Sequence, residues 1–172
     1  MKTTYETLFT ILENSCDQML NVLAKASSSI EQDKINEEEI LNSSLAPNMF
    51  NFTKQVQVFS DLVLGSVYRL SNNTKPSIVD DEKTLSDLIA RVEMTKKYMS
   101  EIRPSELNNG EDVEIHLGWM PEGAYFAGTD YAEKYVLQNA FFHLVTAYNI
   151  LRSKGVEIGK MDYLTNLEMK NK

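Results

Sequence analysis

Apolar residues recur at helical spacing through most of the chain. Tyr5, Leu8, Leu12, Cys16, Met19, Leu23 and Ala26 share one face, which predicts a helix from about Thr4 to Ala26. Thr3 or Thr4 can cap its start by accepting a backbone N–H bond, and the serines Ser27, Ser28 and Ser29 then break the pattern. Asn36 followed by Glu39 has the form of a capping box, so a short helix is expected over Glu37–Leu41. Phe52, Val56, Phe59, Val63, Val67 and Leu70 form the stripe of a second long helix, Asn48 to Leu70. Gly65 lies inside it at a cost of about 1 kcal/mol relative to alanine, which a close helix–helix approach would explain. The acids Asp80, Asp81 and Glu82 suit the positive end of a helix, and a third helix is expected from about Asp81 to Ile102. Its inner side carries Leu85, Leu88, Val92, Met99 and Ile102, and Pro104 ends it.

After a turn signal at Asn108, Asn109 and Gly110 the period changes to two. Val113, Ile115 and Leu117 alternate with Asp112, Glu114 and His116, the signature of a half-buried strand. Pro121, Glu122 and Gly123 turn it back through Tyr125 to Ala127 as a hairpin. The last long helix spans Tyr131 to Gly155, capped by Thr129 or Asp130, with no charge between Tyr135 and Leu151. Gly155 suits a left-handed closing position, with Val156 as its hydrophobic contact. Glu157 to Leu164 is expected to pack on the bundle, and Thr165 to Lys172 to be a mobile tail. The expected architecture is mainly α: one four-helix-bundle domain over residues 1–164, with a small β-hairpin insertion before the last helix.

Composition narrows the partners. The 172 residues carry a net charge of −8, which argues against a nucleic-acid backbone or an anionic membrane as partner. Cys16 is the only cysteine, so no intrachain disulfide and no cysteine metal cage is available. The opening MKTTYETLF has no basic segment followed by an apolar run, so no signal peptide is expected. The uncharged last helix holds Gln138, Asn139, His143, Thr146 and Asn149, which would be costly in lipid. A cytoplasmic protein is expected.

Candidate chemistry concentrates on the last helix. At about 100° per residue, Asn139, His143 and Thr146 fall within roughly 60° of one another on an otherwise apolar circumference. This narrow polar line either ties helices together by hydrogen bonds or faces a groove, where His143 would be a ligand contact or general base. His116 stands opposite the apolar face of its strand and is expected to face solvent. A zinc-type site needs about three ligands from histidine and carboxylate groups. Four residues after His143 comes Ala147, four before it comes Asn139, and the second long helix has no histidine. No phosphate loop and no nucleophile elbow occurs. Cys16 falls on a core stripe. Trp119, Tyr125, Phe126 and Tyr131 cluster around the hairpin, as a satellite core, a lid or a dimer contact.

Several segments carry a resemblance. They are Leu45-Ala46-Pro47-Asn48-Met49-Phe50 leading into Lys54-Gln55-Val56-Gln57, the acids Asp80-Asp81-Glu82, and Phe142-His143 with Thr146-Ala147-Tyr148. Ile150-Leu151-Arg152, Gly155-Val156 and Gly159-Lys160 complete the set. In order and spacing the chain resembles a family of unknown function in the DinB/YfiT-like superfamily of four-helix bundles. The resemblance implies an antiparallel-type bundle with a long crossover and an insertion before the last helix. Better-known members bind a divalent metal through three histidines, one from the second helix and two spaced by four on the last, and several transfer low-molecular-weight thiols. Only His143 corresponds to one of those ligands, so the metal and the thiol chemistry do not carry over.

Two readings follow. In the first, an inter-helix groove lined by Gln55, Asn139, His143 and Thr146 binds or transforms a small molecule, with no metal and no cofactor; no catalytic residue is assigned. In the second, the broad apolar girth of the last helix makes the protein a non-catalytic homodimer that acts as a binding or scaffold module.

Overall fold

The computed structural model describes residues 5–32, 34–103, 105–107, 113–167 and 170. The expected caps Thr3 and Thr4, the stop at Pro104, the turn at 108–110 and the tail positions 168, 169, 171 and 172 lie outside the described residues. Four long helical elements form the bundle: α1 (Tyr5–Glu31), α3 (Phe52–Leu70), α4 (Leu85–Ser100) and a last helix whose main part is α6 (Leu137–Ser153). α1 packs on α4 and α6, and α3 packs on the same two helices. The core is the meeting of the stripes read from the sequence, including Leu12, Met19, Val56, Phe59, Leu88, Leu144 and Ala147, all without solvent exposure.

The element ends differ from expectation where side chains supply local bonds. α1 continues through the three serines, because Ser29 donates to the Lys25 carbonyl and Ser27 to Glu31. Such back-bonding lets serine sit in a solvent-facing turn. The short α2 is Glu37–Asn42, and Asn36 accepts from the Glu39 N–H at 2.9 Å. α3 begins at Phe52 rather than Asn48, since Asn51 caps it by accepting from the Lys54 N–H. α4 begins at Leu85 rather than Asp81, because Thr84 and Asp87 form a reciprocal capping box. The acids before it serve elsewhere. Buried Arg91 ion-pairs with Asp80 at 2.9 Å and Glu82 at 2.6 Å, pinning the connection between α3 and α4 to the bundle.

Cross-helix bonds give the directions. Gln57 bonds Glu82, Asp61 meets Arg91, and Tyr68 donates to the Tyr98 carbonyl, so α3 and α4 run parallel and residues 71–84 form a long crossover between them. Gln55 bonds His143 and Arg69 bonds Tyr131, so α3 and α6 run antiparallel.

The insertion is a two-residue ladder, β1 (Glu114–Ile115) against β2 (Phe126–Ala127), antiparallel, with Glu114 opposite Ala127 and Ile115 opposite Phe126. Asp112 of the expected alternation lies outside the described residues; from 113 to 117 the alternation holds, with Ile115 buried, Val113 and Leu117 half-buried, and Glu114 and His116 exposed. The last helix starts earlier than expected. α5 (Gly128–Asp130) passes into a π-helical segment, Tyr131–Val136, and then into α6, with helical backbone angles at both junctions. Thr129 and Asp130 therefore lie inside the helix and do not cap it. Gly155 has φ +90 and closes it, the Val156 N–H bonding the Leu151 carbonyl and the Val156 side chain fully buried. The segment after it packs on α1 through α7 (Lys160–Tyr163), where Asn21 donates to the Asp162 carbonyl at 2.6 Å. Asn166 bonds Asn14 and Asp17. No helix among the described residues is long and apolar enough to cross a membrane.

Candidate functional site

The seam between α3 and α6 brings two of the four candidate residues together. Gln55, in the first turn of α3, is 1% exposed, and His143, mid-way along α6, is 7% exposed. Gln55 Oε1 lies 2.6 Å from His143 Nδ1. The amide's orientation follows from its other contact, since Gln55 Nε2 donates to the Phe50 carbonyl at 3.1 Å. Its oxygen then faces the imidazole, so Nδ1 must carry the proton and donate. That leaves Nε2 with the lone pair, and Nε2 has no hydrogen-bond partner among the described residues. Burial pushes the His143 pKa below its ordinary value, which keeps the ring neutral at physiological pH. The arrangement therefore offers a neutral acceptor, able to take a hydrogen bond or a proton.

Two aromatic rings flank this histidine. Phe50, from the loop before α3, stacks on it with ring centroids 6.5 Å apart, and Phe142 meets it edge-on at 5.3 Å. Both phenylalanines are more than half exposed.

The other two candidates turn inward to their own helix. Thr146 is buried and donates to the Phe142 carbonyl at 2.6 Å, while Asn139 is half-buried and donates to the Tyr135 carbonyl at 3.0 Å. Each keeps an oxygen able to accept. His116 bonds the Ala124 carbonyl within the hairpin and has no part in this seam. Cys16 is fully buried, and burial pushes its thiol up to about 12, so it stays a protonated core residue. Among the described residues no three histidine, cysteine or carboxylate side chains converge to hold a metal ion.

The larger cavities lie away from His143. One of about 520 Å³ lies between α2, the start of α3 and the crossover, one of about 490 Å³ between α1, Phe141 and residues 165–167, and one of about 440 Å³ between the crossover and α4 beside Arg91.

Residues 4–164 match the profile of a domain of unknown function, DUF1993. The chain belongs to the DUF1993 family. This DUF1993 chain is also similar to the crystal structure of a DinB family member from Shewanella denitrificans, at 31% identity and a TM-score of 0.90. The match covers 98% of this chain and 95% of that one. A DinB-like helical bundle with a small β insertion is thus its fold, and it is a domain of unknown function within the DinB-like superfamily. No curated protein sequence matches it.

The sequence singles out Gln55 and His143 as candidates but not the contact that joins them. The Phe50 carbonyl that orients the amide belongs to a loop whose path no periodicity encodes. Nor does the sequence single out Arg91 and Arg69. A basic residue on an inner helix face was the available signal for the first, and none existed for the second.

Proposed function

We propose that this DUF1993 protein binds a small molecule at the α3–α6 groove without a metal, with the Gln55–His143 pair at its base. Phe50 and Phe142 flank the site, and Asn139 and Thr146 border it. The observation that carries this reading is the fixed tautomer. A buried, neutral histidine held by Gln55 presents an unshared Nε2 acceptor next to two exposed rings. That combination suits a ligand with a hydrogen-bond donor beside an apolar body. The same reading treats the protein as cytoplasmic and without a nucleic-acid partner, in keeping with its net charge of −8.

A second reading is favoured by the outer face of α6. Phe142 is 55% and Val145 39% exposed, and Phe50, which stacks on His143, is 53% exposed. A two-fold pair of α6 helices would cover this face and make the protein a non-catalytic homodimer.

Native mass spectrometry of the purified protein separates the two. A co-purified small molecule that is lost from Gln55→Leu and His143→Leu supports the groove. A dimer mass with no adduct, broken by Phe142→Glu, supports the second reading. A stoichiometric divalent metal lost with His143 would sink the metal-free account.

A further inference from the structure

The other end of the same seam is built differently. Arg69, in the last turn of α3, donates from Nη1 to the Tyr131 hydroxyl at 3.0 Å, and no carboxylate pairs with it among the described residues. One turn earlier stands Gly65, where a methyl group would overlap Arg69 Nη1. The glycine is therefore what lets the guanidinium lie back along its own helix, the three atoms nearest such a methyl all belonging to Arg69.

Tyr131 and Tyr135 both belong to the π-helical segment, and their rings stack with centroids 5.7 Å apart. The Leu137 N–H bonds the Ala132 carbonyl five residues back, the wider turn that defines such a segment, and single π turns are frequent at functional sites. Trp119, from the hairpin insertion, is 64% exposed and lies 6.0 Å from the Tyr135 ring. Lys75, from the crossover, bonds Asp61 at 2.7 Å. These six side chains, from α3, the crossover, the insertion and the π segment, line one cavity of about 300 Å³.

We propose that this cavity is a binding site for a small organic monoanion with a flat apolar body, an aryl carboxylate. The carboxylate meets Arg69, and the ring lies against Trp119 and Tyr135. Arg69 and Lys75 against Asp61 leave one positive charge at the cavity of a chain whose net charge is −8. The planar guanidinium matches a carboxylate with two parallel donors. Burial pushes the Tyr131 phenol up, so it stays protonated. Its oxygen accepts from Arg69 and, with the ring itself fully buried, holds the guanidinium at the cavity wall. The exposed indole supplies the apolar face, since aromatic rings favour offset or edge contacts with one another. This site is separate from the Gln55–His143 groove and stands or falls independently of it.

Trp119 is the only tryptophan, so its emission reports on this cavity. The full chain is titrated with phenylacetate and with its neutral counterpart phenylacetamide, following tryptophan emission and heat. A saturable response to the acid is expected, with the amide at least about tenfold weaker. Arg69→Met should weaken phenylacetate by roughly ten- to hundredfold, the value of a hydrogen bond to a charged group. Gly65→Ala keeps the charge but displaces the guanidinium, and should also weaken binding while the circular-dichroism melt stays near wild type. Lys25→Met, which removes a remote cation of α1, should leave affinity unchanged. If Arg69→Met does not fold, Gly65→Ala and Arg69→Lys carry the same test. Equal affinity for acid and amide overturns the proposal. So does unchanged affinity in the Arg69 and Gly65 variants, or no saturable response to phenylacetate, benzoate or 2-naphthoate up to ~10 mM.

Discussion

The two ends of the α3–α6 seam use the same pair of antiparallel helices for opposite chemistry. At one end Gln55 and His143 are buried, neutral and bonded to each other, with one acceptor left over. At the other end Arg69 is exposed and charged, with donors left over. Burial makes the difference. A charged histidine would be costly inside the bundle, so its ring stays neutral. A guanidinium stays charged in any protein environment, as buried Arg91 does in its ion pairs, so what exposure at the bundle's end leaves is donors open to a ligand. One scaffold thereby presents a neutral acceptor and a cationic donor along a single seam.

Breaking the buried end should have the largest effect. Gln55→Leu leaves His143 Nδ1 without its partner, an expected loss of about 1–3 kcal/mol in urea unfolding. The double variant with His143→Leu should cost less than the sum of the single ones, because replacing both partners removes the orphan. Additive losses would mean that the pair is not coupled.

The next effect is on pH dependence. The His143 pKa is lowered in the folded state, so the unfolded chain binds the extra proton first. Stability from this group is fully present above its unfolded pKa of about 6.5. It is lost as pH falls from there through the folded value, at no more than about 1.4 kcal/mol per pH unit. Urea midpoints from pH 7.5 down to 5.5 should fall in the wild type and fall less in His143→Leu. Equal slopes would break the argument that burial keeps this ring neutral.

At the open end the expected changes are smaller. Gly65→Ala improves helix propensity by up to about 1 kcal/mol and forfeits a hydrogen bond of similar size, so its melting temperature should stay close to wild type. Smallest of all is Trp119→Phe. The indole is largely exposed, and a stability change within about 0.5 kcal/mol is expected from thermal melts. A large loss there would show that the insertion is a structural plug.

Much of this was legible in the residues. The stripes of α1, α3 and α4, the alternation around Ile115, and the closing turn at Gly155 and Val156 are local patterns with one physical solution, and each appears where its period put it. The element ends were less legible. Asn51 and Thr84 displaced the expected starts of α3 and α4 because a cap depends on which neighbouring N–H a side chain reaches. The acids at 80–82 read as a helix start, yet Asp80 and Glu82 serve Arg91, a residue that only the parallel crossover brings to them.

The long uncharged helix before Gly155 was visible at once, as was the polar line containing Asn139, His143 and Thr146. Its π-helical turn was not, because a widened turn leaves no periodic mark in six residues. By itself the sequence determined which faces are apolar, where the chain turns, and that Ala147 and not histidine follows His143 by four. Only the tertiary structure decided that Gln55 meets His143 and that Arg69 meets Tyr131. Hydrophobic period is a property of one helix, whereas these pairs depend on the antiparallel register of two.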